Sequence, residues 1–476
     1  MICIPITAAN TQDALRDMQA AAPLADMLEL RLDYIENPDL PCLLADRPRP
    51  VIVTITPREE NGQFTGTDAE RLSLLEQAVI LGAEYIDCNM GWHALPRLRS
   101  IQGKTRVIVS SHNYEETPPD LPQRYREIAA TGADVVKIAT YAKRISDNLR
   151  MLELIKDADR DCIGICMGEK GEVSRILAPA YGALLTFASL VTGKESAPGQ
   201  IPAEAMHSIY DCNGINRTTR LYGLIGNPVS KSRGYILFNR LFKHYGLNMR
   251  YLNFLVDDVD DFMNSFGRVL GGFSITMPHK QAVTNYLDAS DAISERIGAV
   301  NTVVNMKGRL LGCNTDTAGV VRPLLQLTGL NDKRVTLLGA GGAARAAAAA
   351  LIHEGALVTI LNRTLLRAEK LADELGCASG TLDSFDPDAT DILVNMTSVG
   401  MHPDIDATPV PQGKLRDMIV FDGVYNPPKT QMLREAERAG CTVIPGIEMF
   451  ISQAAEQFRL WTGIEPDVAL MKDILS

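Results

Sequence analysis

The chain of 476 residues is too long for one compact domain, because domains usually contain roughly 100 to 200 residues. Its 46% hydrophobic and 22% charged residues exclude disordered, collagen-like and disulfide-scaffold proteins. The formal net charge of −11 argues against binding to the phosphate backbone of nucleic acids, although local basic pockets for small anions remain compatible with it.

The nine cysteines are scattered and show no paired CxxC spacing, so we expect neither a disulfide framework nor a metal site. Cys162 and Cys166 lie in the apolar run CIGIC and are interpreted as buried strand residues. The N-terminus lacks a basic signal region, and no apolar run reaches the roughly 18 residues of a membrane span. These features predict a cytoplasmic protein that does not cross a membrane.

Residues 1–213 contain eight short apolar runs separated by amphipathic stretches of helical length, which predicts a (β/α)8 barrel. The runs are ICIPI from Ile2, MLELRL from Met27, VIVTIT from Val51, YIDCNM from Tyr85, RVIVSSH from Arg106, VVKIAT from Val135, CIGICMG from Cys162 and ALLTFAS from Ala183. Chemistry in such barrels lies at the carboxyl ends of the strands. Polar residues at those ends are therefore the candidate site.

Lys137 is the most informative of these strand-end residues. Its apolar strand should desolvate the amine and lower its pKa, which would make it a Schiff-base nucleophile. A snorkelling or salt-bridged structural lysine is the alternative. His112 on the preceding strand favours the catalytic interpretation, because an imidazole can shuttle the protons that imine formation and elimination require.

The first half resembles type I 3-dehydroquinate dehydratase in the ordered motifs ELRLD, ENGQF, SSHNY, VVKIA, MGEKGEVSR and SAPGQI. The resemblance implies loss of water from 3-dehydroquinate through an imine on Lys137. It makes His112 the general acid and base, oriented by Glu29. It assigns the substrate's hydroxyls and carboxylate to Arg31, Arg58, Arg175, Ser196 and Gln200. The loop after Arg58 is two residues shorter than the family pattern, which leaves Glu60 as a minor candidate.

A polar linker, Asp211–Arg220, separates this half from a second α/β region. This second region contains the signal of a Rossmann-type nucleotide-binding domain. The nucleotide signal is a strand, a G-x-G-x-x-A turn formed by Gly339, Gly341 and Ala344, and an alanine-rich helix.

The next strand predicts which nucleotide binds. This strand ends in Asn362, Arg363 and Thr364, and Asn362 lies 23 residues after Gly339. An NAD site usually has an acidic residue at about this distance. Arg363, with Arg367 one turn later, suits a 2′-phosphate instead, so NADP is favoured over NAD. The alternative is a pair of solvated surface arginines.

From about Leu221 onward the chain is similar to shikimate dehydrogenase in the ordered segments GNPVSKSRGYILFN, GFSITMPHK, GAVNTV, GCNTDTAG, NMTSVGM, DGVYNPPKT and PGIEMFISQA. The resemblance implies a two-lobed dehydrogenase with a substrate lobe at 214–325, a Rossmann-type NADP-binding lobe at 326–445, and a segment at 446–476 that returns to the substrate lobe. It also implies reduction of 3-dehydroshikimate by NADPH with the pair Lys280 and Asp316. It assigns substrate contacts to Ser232, Thr276, Asn301, Tyr425 and Gln453. Cofactor contacts fall on Gly339, Ala340, Gly341, Gly342, Ala343, Asn362, Arg363, Thr364, Arg367, Thr397, Gly423 and Met449.

The substrate loop departs from this family. Gly234 stands where a second serine is usual, Lys231 replaces a histidine, and Ser274 replaces an asparagine. The missing hydroxyl at Gly234 opens space that would admit quinate, which carries an extra hydroxyl, unless Lys231 or Tyr235 compensates.

The sequence thus predicts a bifunctional enzyme of the shikimate pathway whose first site makes the substrate of the second. One alternative is a metabolite sensor without turnover, which should lose catalytic groups while it keeps binding groups. Another is a quinate dehydrogenase of a degradative route, whose NAD-linked form Arg363 disfavours.

Overall fold

The computed structural model describes residues 1–411 and 413–475. The chain forms two compact units: one contains residues 1–221 and 242–269, and the other contains residues 222–241 and the chain from 270 onward. Strands alternate with helices in both units, which confirms the predicted α/β class. None of the helices in the described part of the chain combines the length and the apolar character that a membrane crossing requires.

Eight parallel strands form the sheet of the first unit, and β1 to β7 lie side by side in sequence order. β1 also pairs with β8, so the sheet is nearly closed and the predicted barrel is confirmed. Parallel strands are covered on both faces, which is why they read as continuous apolar runs. The strands are β1 (Ile2–Ile6), β2 (Met27–Arg31), β3 (Val51–Thr54), β4 (Tyr85–Asn89), β5 (Arg106–Asn113), β6 (Val135–Tyr141), β7 (Cys162–Met167) and β8 (Thr186–Phe187).

Helices follow the barrel strands. They are α1 (Thr11–Ala21), α2 (Leu40–Ala45), α3 (Asp68–Ile80), α4 (Leu95–Ile101), α5 (Leu121–Ala130), α6 (Ser146–Asp157), α7 (Glu172–Tyr181) and α8 (Ala203–Ser208). A capping box fixes the start of α3, since the Thr67 hydroxyl accepts from the Glu70 amide and the Glu70 carboxylate accepts from the Thr67 amide. Arg71, the next residue, is thereby held at the top of this helix.

Residues 220–325 form β9 (Arg220–Gly226), α9 (Gly234–His244), β10 (Met249–Leu255), α10 (Val259–Ser265), β11 (Gly272–Ile275), β12 (Ala289–Ser290), α11 (Ala292–Ile297), β13 (Thr302–Met306), β14 (Arg309–Cys313) and α12 (Asp316–Leu325). In the second unit, β9, β11, β13, β14 and β12 neighbour one another in that order. The β11–β13 and β13–β14 pairings are antiparallel, and the β9–β11 pairing is parallel.

The segment 242–269, with β10 and α10, groups with the first unit, although the sequence placed all of 214–325 in one lobe. Polar contacts account for this grouping. Asp261 of α10 accepts from the Ser146 hydroxyl at 2.6 Å and pairs with Arg144 at 2.7 Å. Lys170 pairs with Asp257 at 2.5 Å.

A second six-stranded sheet carries the nucleotide-binding pattern. All its pairings are parallel, and its order β17-β16-β15-β18-β19-β20 is that of the doubly wound Rossmann fold. The strands are β15 (Arg334–Leu338), β16 (Leu357–Leu361), β17 (Ala378–Gly380), β18 (Ile392–Asn395), β19 (Ile419–Asp422) and β20 (Thr442–Ile444). The helices are α13 (Gly342–His353), α14 (Leu365–Leu375), α15 (Gln431–Arg438), α16 (Gly446–Thr462) and α17 (Val468–Leu475).

The helix α16 leaves the nucleotide sheet and packs against α12. The Trp461 indole of α16 donates to the Val303 carbonyl of β13 at 3.0 Å. The Gln457 amide donates to the Thr302 hydroxyl at 2.9 Å and accepts from the Ser274 hydroxyl at 3.1 Å. The helix α16 is therefore bonded to the sheet that contains β11 and β13.

Candidate active sites

A cavity of about 840 Å³ opens at the carboxyl ends of the barrel strands. Eight of its lining residues were predicted from the sequence: Glu29, Arg31, Glu60, His112, Lys137, Arg175, Ser196 and Gln200. It is also lined by residues that the analysis did not name, among them Thr54, Thr56, Arg71, Asp87, Asn89 and Tyr114. The barrel thus gathers most of the predicted side chains around one space.

Lys137 lies at the base of this cavity with only 6% of its surface exposed. Its Nζ is 2.6 Å from Asp87 Oδ2 and 3.4 Å from Glu29 Oε1, and it lies 4.8 Å from the centre of the Phe187 ring. Burial alone would lower the pKa of Lys137, but the two carboxylates raise it above the ordinary lysine value. The expectation of a lowered pKa for Lys137 is therefore wrong.

Asp87 is the main reason for this difference. Burial would raise the pKa of its carboxyl, yet the adjacent Lys137 cation holds that pKa below its ordinary value. Asp87 is not among the residues predicted from the sequence, although it is the only acidic residue in the fourth apolar run, YIDCNM. A carboxylate in the middle of a buried strand, β4, was the available signal.

His112 shares the cavity as a neutral base. Burial and the nearby Lys137 cation lower the pKa of its imidazole to about 4. Its ring stacks on Tyr114, with 5.8 Å between ring centres and 12° between planes, and its Nδ1 has no hydrogen-bond partner. The carboxylate of Glu29, expected to orient His112, instead accepts from Thr54 Oγ1 at 3.0 Å and from Lys137.

Arg31 is held rigidly at the rim. Its Nε and Nη2 donate to the two oxygens of Asp33 at 2.9 and 2.7 Å, and Asp33 also accepts from the Gln63 amide at 3.1 Å. Burial opposes its charge, but Asp33 more than offsets this and raises the pKa of Arg31. A fixed guanidinium of this kind presents its remaining N–H groups to the cavity.

The opposite side of the cavity is formed by the segments after β7 and β8. Arg175 is fully buried, donates to the Pro198 carbonyl at 3.0 Å and leaves its Nε unpaired. Burial lowers the pKa of Arg175 to about 10. Ser196 and Gln200 bind each other, with the Ser196 amide donating to Gln200 Oε1 at 2.8 Å. Gly199 turns between them at φ +76°, where a Cβ would meet the Gly168 carbonyl oxygen at 2.2 Å.

Arg58 is the one predicted barrel residue that the structure does not bring to the cavity. It is exposed in the short helical turn Arg58–Glu60, whereas Thr56 and Glu60 line the cavity on either side of it. Burial raises the pKa of the half-buried Glu60. The Tyr114 hydroxyl donates to the Glu60 carbonyl at 3.2 Å, which ties this turn to the end of β5.

In the second unit, the predicted catalytic pair Lys280 and Asp316 is in direct contact. Lys280 Nζ lies 2.5 Å from Asp316 Oδ2, and the other carboxylate oxygen accepts from the Asn301 side-chain amide at 2.7 Å. The same amide reaches Gln453 Oε1 at 3.4 Å. Asn301 Oδ1 in turn accepts from the Thr315 amide at 2.7 Å, which fixes the orientation of the whole cluster.

Other predicted substrate residues lie on loops around this cluster. Thr276 follows β11, and Ser232 precedes α9, where its hydroxyl oxygen accepts from the Gly234 amide at 3.2 Å. Tyr425 stacks on Phe450 with 5.6 Å between ring centres, and burial raises the pKa of its hydroxyl. Ser274 is buried, and its hydroxyl donates to Gln457 of α16, so its side chain is engaged with that helix.

The turn between β15 and α13 fits a dinucleotide. Gly339 adopts φ +112°, and a Cβ there would lie 3.0 Å from the Met396 carbonyl oxygen, so glycine is required. Nothing lies within 4 Å of a Cβ built on Gly341 or Gly342, which leaves the backbone of Ala340 to Ala343 open at the helix N-terminus. This open N-terminus can receive a pyrophosphate.

The remaining predicted cofactor residues lie at the carboxyl ends of the neighbouring strands. Arg363, Thr364 and Arg367 are exposed after β16, and no ion pair of the described residues involves either arginine. Asn362 donates to the Thr364 carbonyl at 2.9 Å. Thr397 follows β18, Gly423 follows β19, and Met449 lies in the first turn of α16. Two free guanidiniums at this edge suit a ribose 2′-phosphate.

Comparison with known proteins agrees with this division of the chain. Residues 2–217 match the family of type I 3-dehydroquinase. Residues 224–303 match the shikimate dehydrogenase substrate binding domain, residues 324–401 match shikimate / quinate 5-dehydrogenase, and residues 446–475 match the shikimate 5'-dehydrogenase C-terminal domain.

Full-length relatives contain both halves. The chain is 39% identical to the bifunctional 3-dehydroquinate dehydratase/shikimate dehydrogenase, chloroplastic, of Arabidopsis thaliana, with 100% of this chain and 84% of that protein aligned. It is 30% identical to the shikimate biosynthesis protein AroDE of Chlamydia pneumoniae over 97% of this chain and 95% of that protein. A crystal structure of shikimate dehydrogenase in complex with NADP+ is 39% identical, covers 55% of this chain and 96% of its own, and has a TM-score of 0.53.

Proposed function

The chain belongs to the family of bifunctional 3-dehydroquinate dehydratases/shikimate dehydrogenases, and on that premise we propose which residues perform each reaction. It is a shikimate-pathway enzyme that joins a dehydratase to an NADP-dependent dehydrogenase, so a sensor without turnover is disfavoured. We place it in the cytoplasm, which its nine free cysteines support.

In the dehydratase, Lys137 forms the imine. Its ammonium must first lose a proton, and the neutral imidazole of His112 in the same cavity is assigned as the acceptor, because Asp87 at 2.6 Å stabilises the charged ammonium. The amine then adds to the C3 carbonyl of 3-dehydroquinate, His112 returns the proton to the oxygen that leaves as water, and the product is an iminium that withdraws electrons from the neighbouring carbon.

His112 completes the elimination. Because the lowered pKa keeps its imidazole neutral at physiological pH, it can accept the C2 proton. The electron pair left on C2 expels the C1 hydroxyl, which takes the proton from His112 and departs as water. Hydrolysis of the imine releases 3-dehydroshikimate and restores the Lys137 amine.

Substrate contacts follow from the two sides of the cavity. We assign the carboxylate to Arg175, Ser196 and Gln200, because the buried guanidinium has an unpaired Nε–H there. Arg31, fixed by Asp33, is assigned to ring hydroxyls, and Glu29 to positioning of Lys137.

In the dehydrogenase, Lys280 donates a proton to the 3-keto oxygen as that oxygen becomes a hydroxyl. Bound NADPH supplies the hydride. Asp316 holds the ammonium in place, and Asn301 holds Asp316. Arg363 and Arg367 are assigned to the 2′-phosphate, and Gly339 to Ala343 to the pyrophosphate.

The observation that carries the dehydratase assignment is the buried Lys137 beside Asp87, with a neutral His112 in the same cavity. The test is to incubate the protein with 3-dehydroquinate and NADPH while following enone absorbance and NADPH loss together. Borohydride added during turnover should label Lys137, and Lys137→Ala should abolish the label and the enone. Absence of a label in the unmodified protein would rule out the imine. Lys280→Ala should block NADPH oxidation alone.

A further inference from the structure

A third buried arginine of the barrel cavity, besides Arg31 and Arg175, has no role in these assignments. Arg71 lies just after the capping box of α3, is 3% exposed and lines the cavity. Its sequence position does not mark it as a site residue, because Arg71 lies 13 residues beyond Arg58 in the helix α3 and belongs to no motif.

The guanidinium of Arg71 has neutral direct partners. Its Nη2 donates to Asn89 Oδ1 at 2.7 Å, and its Cζ lies 4.1 Å from the centre of the Trp92 ring. Its Nε is buried and has no hydrogen-bond partner. A buried cation held only for structure would be expected to bind a carboxylate directly, because an unpaired buried charge is costly.

Arg175 has the same unusual feature at the other side of the cavity, where its buried Nε is also unpaired. Arg71 follows β3 and binds Asn89 at the end of β4, whereas Arg175 follows β7. Since the strands run around the barrel in sequence order, these two arginines lie about half a turn apart.

This spacing matches the substrate. In 3-dehydroquinate the carboxylate is on C1, and the C4 hydroxyl is on the opposite carbon of the six-membered ring. If Arg175 takes the carboxylate, a donor on the β3–β4 side meets the hydroxyl end. Thr56 and Glu60 line that side, whereas Arg58 is exposed and does not.

We propose that Arg71, in place of Arg58, binds the hydroxyl end of 3-dehydroquinate through its unpaired Nε–H. This inference rests on the proposed dehydratase site. It gives Arg71 of α3 the substrate contact that the sequence motif gave to Arg58 in the preceding loop. Asn89 and Trp92 hold the guanidinium in position without neutralising it.

The test compares Arg71→Gln, Arg71→Lys and Arg58→Gln in the full chain. We expect Arg71→Gln to raise the KM for 3-dehydroquinate by about tenfold or more, as loss of a charged hydrogen bond does, and Arg71→Lys to raise it less. Arg58→Gln should change KM less than twofold. A KM unchanged in Arg71→Gln, or raised equally in Arg58→Gln, would overturn the proposal.

Two further measurements separate binding from folding. Dehydrogenase turnover of each preparation reports the amount of folded second unit, and thermal unfolding reports the barrel. If Arg71→Gln does not fold, Arg71→Lys still decides, because a lysine keeps the buried charge but has no N–H at the position of Nε, so KM should still rise. An unchanged KM in Arg71→Lys would then overturn the proposal. Borohydride labelling of Lys137 in the unmodified protein tests the dehydratase site independently.

Discussion

The two active sites place the same ion pair in different surroundings. Lys137 lies 2.6 Å from Asp87, and Lys280 lies 2.5 Å from Asp316. The Lys137 side chain is 8% exposed and the Lys280 side chain is 26% exposed. A lysine that forms a covalent imine must be shielded from water until the intermediate is complete, whereas a proton donor must recover its proton from solvent after each turnover.

Burial, and not the lysine–aspartate pair itself, therefore distinguishes the nucleophile from the acid. Asp87 keeps Lys137 charged and ordered until substrate arrives. Asp316, itself bound to Asn301, keeps Lys280 aimed at a site that solvent reaches. Each lysine should consequently respond differently to the same substitutions.

Replacing Lys137 or Lys280 by arginine should give the largest difference in effect between the two active sites. A guanidinium keeps the positive charge but cannot form an imine, so Lys137→Arg should eliminate dehydratase turnover and borohydride labelling. Lys280→Arg keeps the cation that stabilises the developing alkoxide, so we expect residual reduction, slower by about 10²-fold. Separate assays on 3-dehydroquinate and 3-dehydroshikimate measure both. Residual dehydratase activity in Lys137→Arg would contradict the role of Lys137 as the imine-forming nucleophile.

The pH dependence of dehydration should follow the burial of His112. Its pKa is lowered from 6.5 to about 4, so the imidazole is the neutral base above about pH 4 and loses this form as pH falls. At pH 5 the neutral fraction is about 30-fold higher than an ordinary histidine would have. We expect kcat/KM to stay level between pH 5 and 7 and to fall near pH 4. An acid limb near pH 6.5 would contradict this burial effect.

Cofactor choice tests whether the exposed arginines of the nucleotide lobe act on the 2′-phosphate. Arg363→Gln should raise the KM for NADPH by about tenfold and leave NADH use unchanged, because only NADPH carries that phosphate. Arg334→Gln is a matched control, since Arg334 starts β15 and pairs with Asp391 at 2.6 Å. Equal effects on both nucleotides would reject the assignment.

The smallest expected effect concerns the substrate loop. Gly234→Ser restores a hydroxyl beside Ser232 and fills space, so we expect the ratio of quinate to shikimate oxidation with NADP+ to fall by a few fold. Ser232→Ala should lower both rates. Strict shikimate preference in the unmodified protein would eliminate the quinate hypothesis.

The sequence was a good guide wherever local pattern determines structure. Alternating apolar runs predicted the barrel strands, and the glycine turn before the alanine-rich helix predicted the nucleotide fold, because both signals lie within a few neighbouring residues. Lys280 and Asp316 were also paired correctly in space.

Expectations that depended on distant neighbours were less secure. The lowered pKa expected for Lys137 was wrong because Asp87, 50 residues earlier, compensates the desolvation. Arg58 was assigned to the substrate because of its residue type and its place in the loop motif. In this shortened loop, a shift of one or two positions moves a side chain from the cavity to solvent, and Arg58 is exposed. Arg71 was missed because helix α3 reaches the cavity only through its capped first turn.

The bonds of α16 also bear on how the protein is made. Gln453 reaches Asn301, and Gln457 and Trp461 are bonded to β11 or β13. A ribosome must therefore translate past residue 461 before the reductase site is complete, whereas all the barrel's cavity residues have been synthesised by Gln200. The nascent chain thus acquires the parts of its two sites in the order in which its substrates are used.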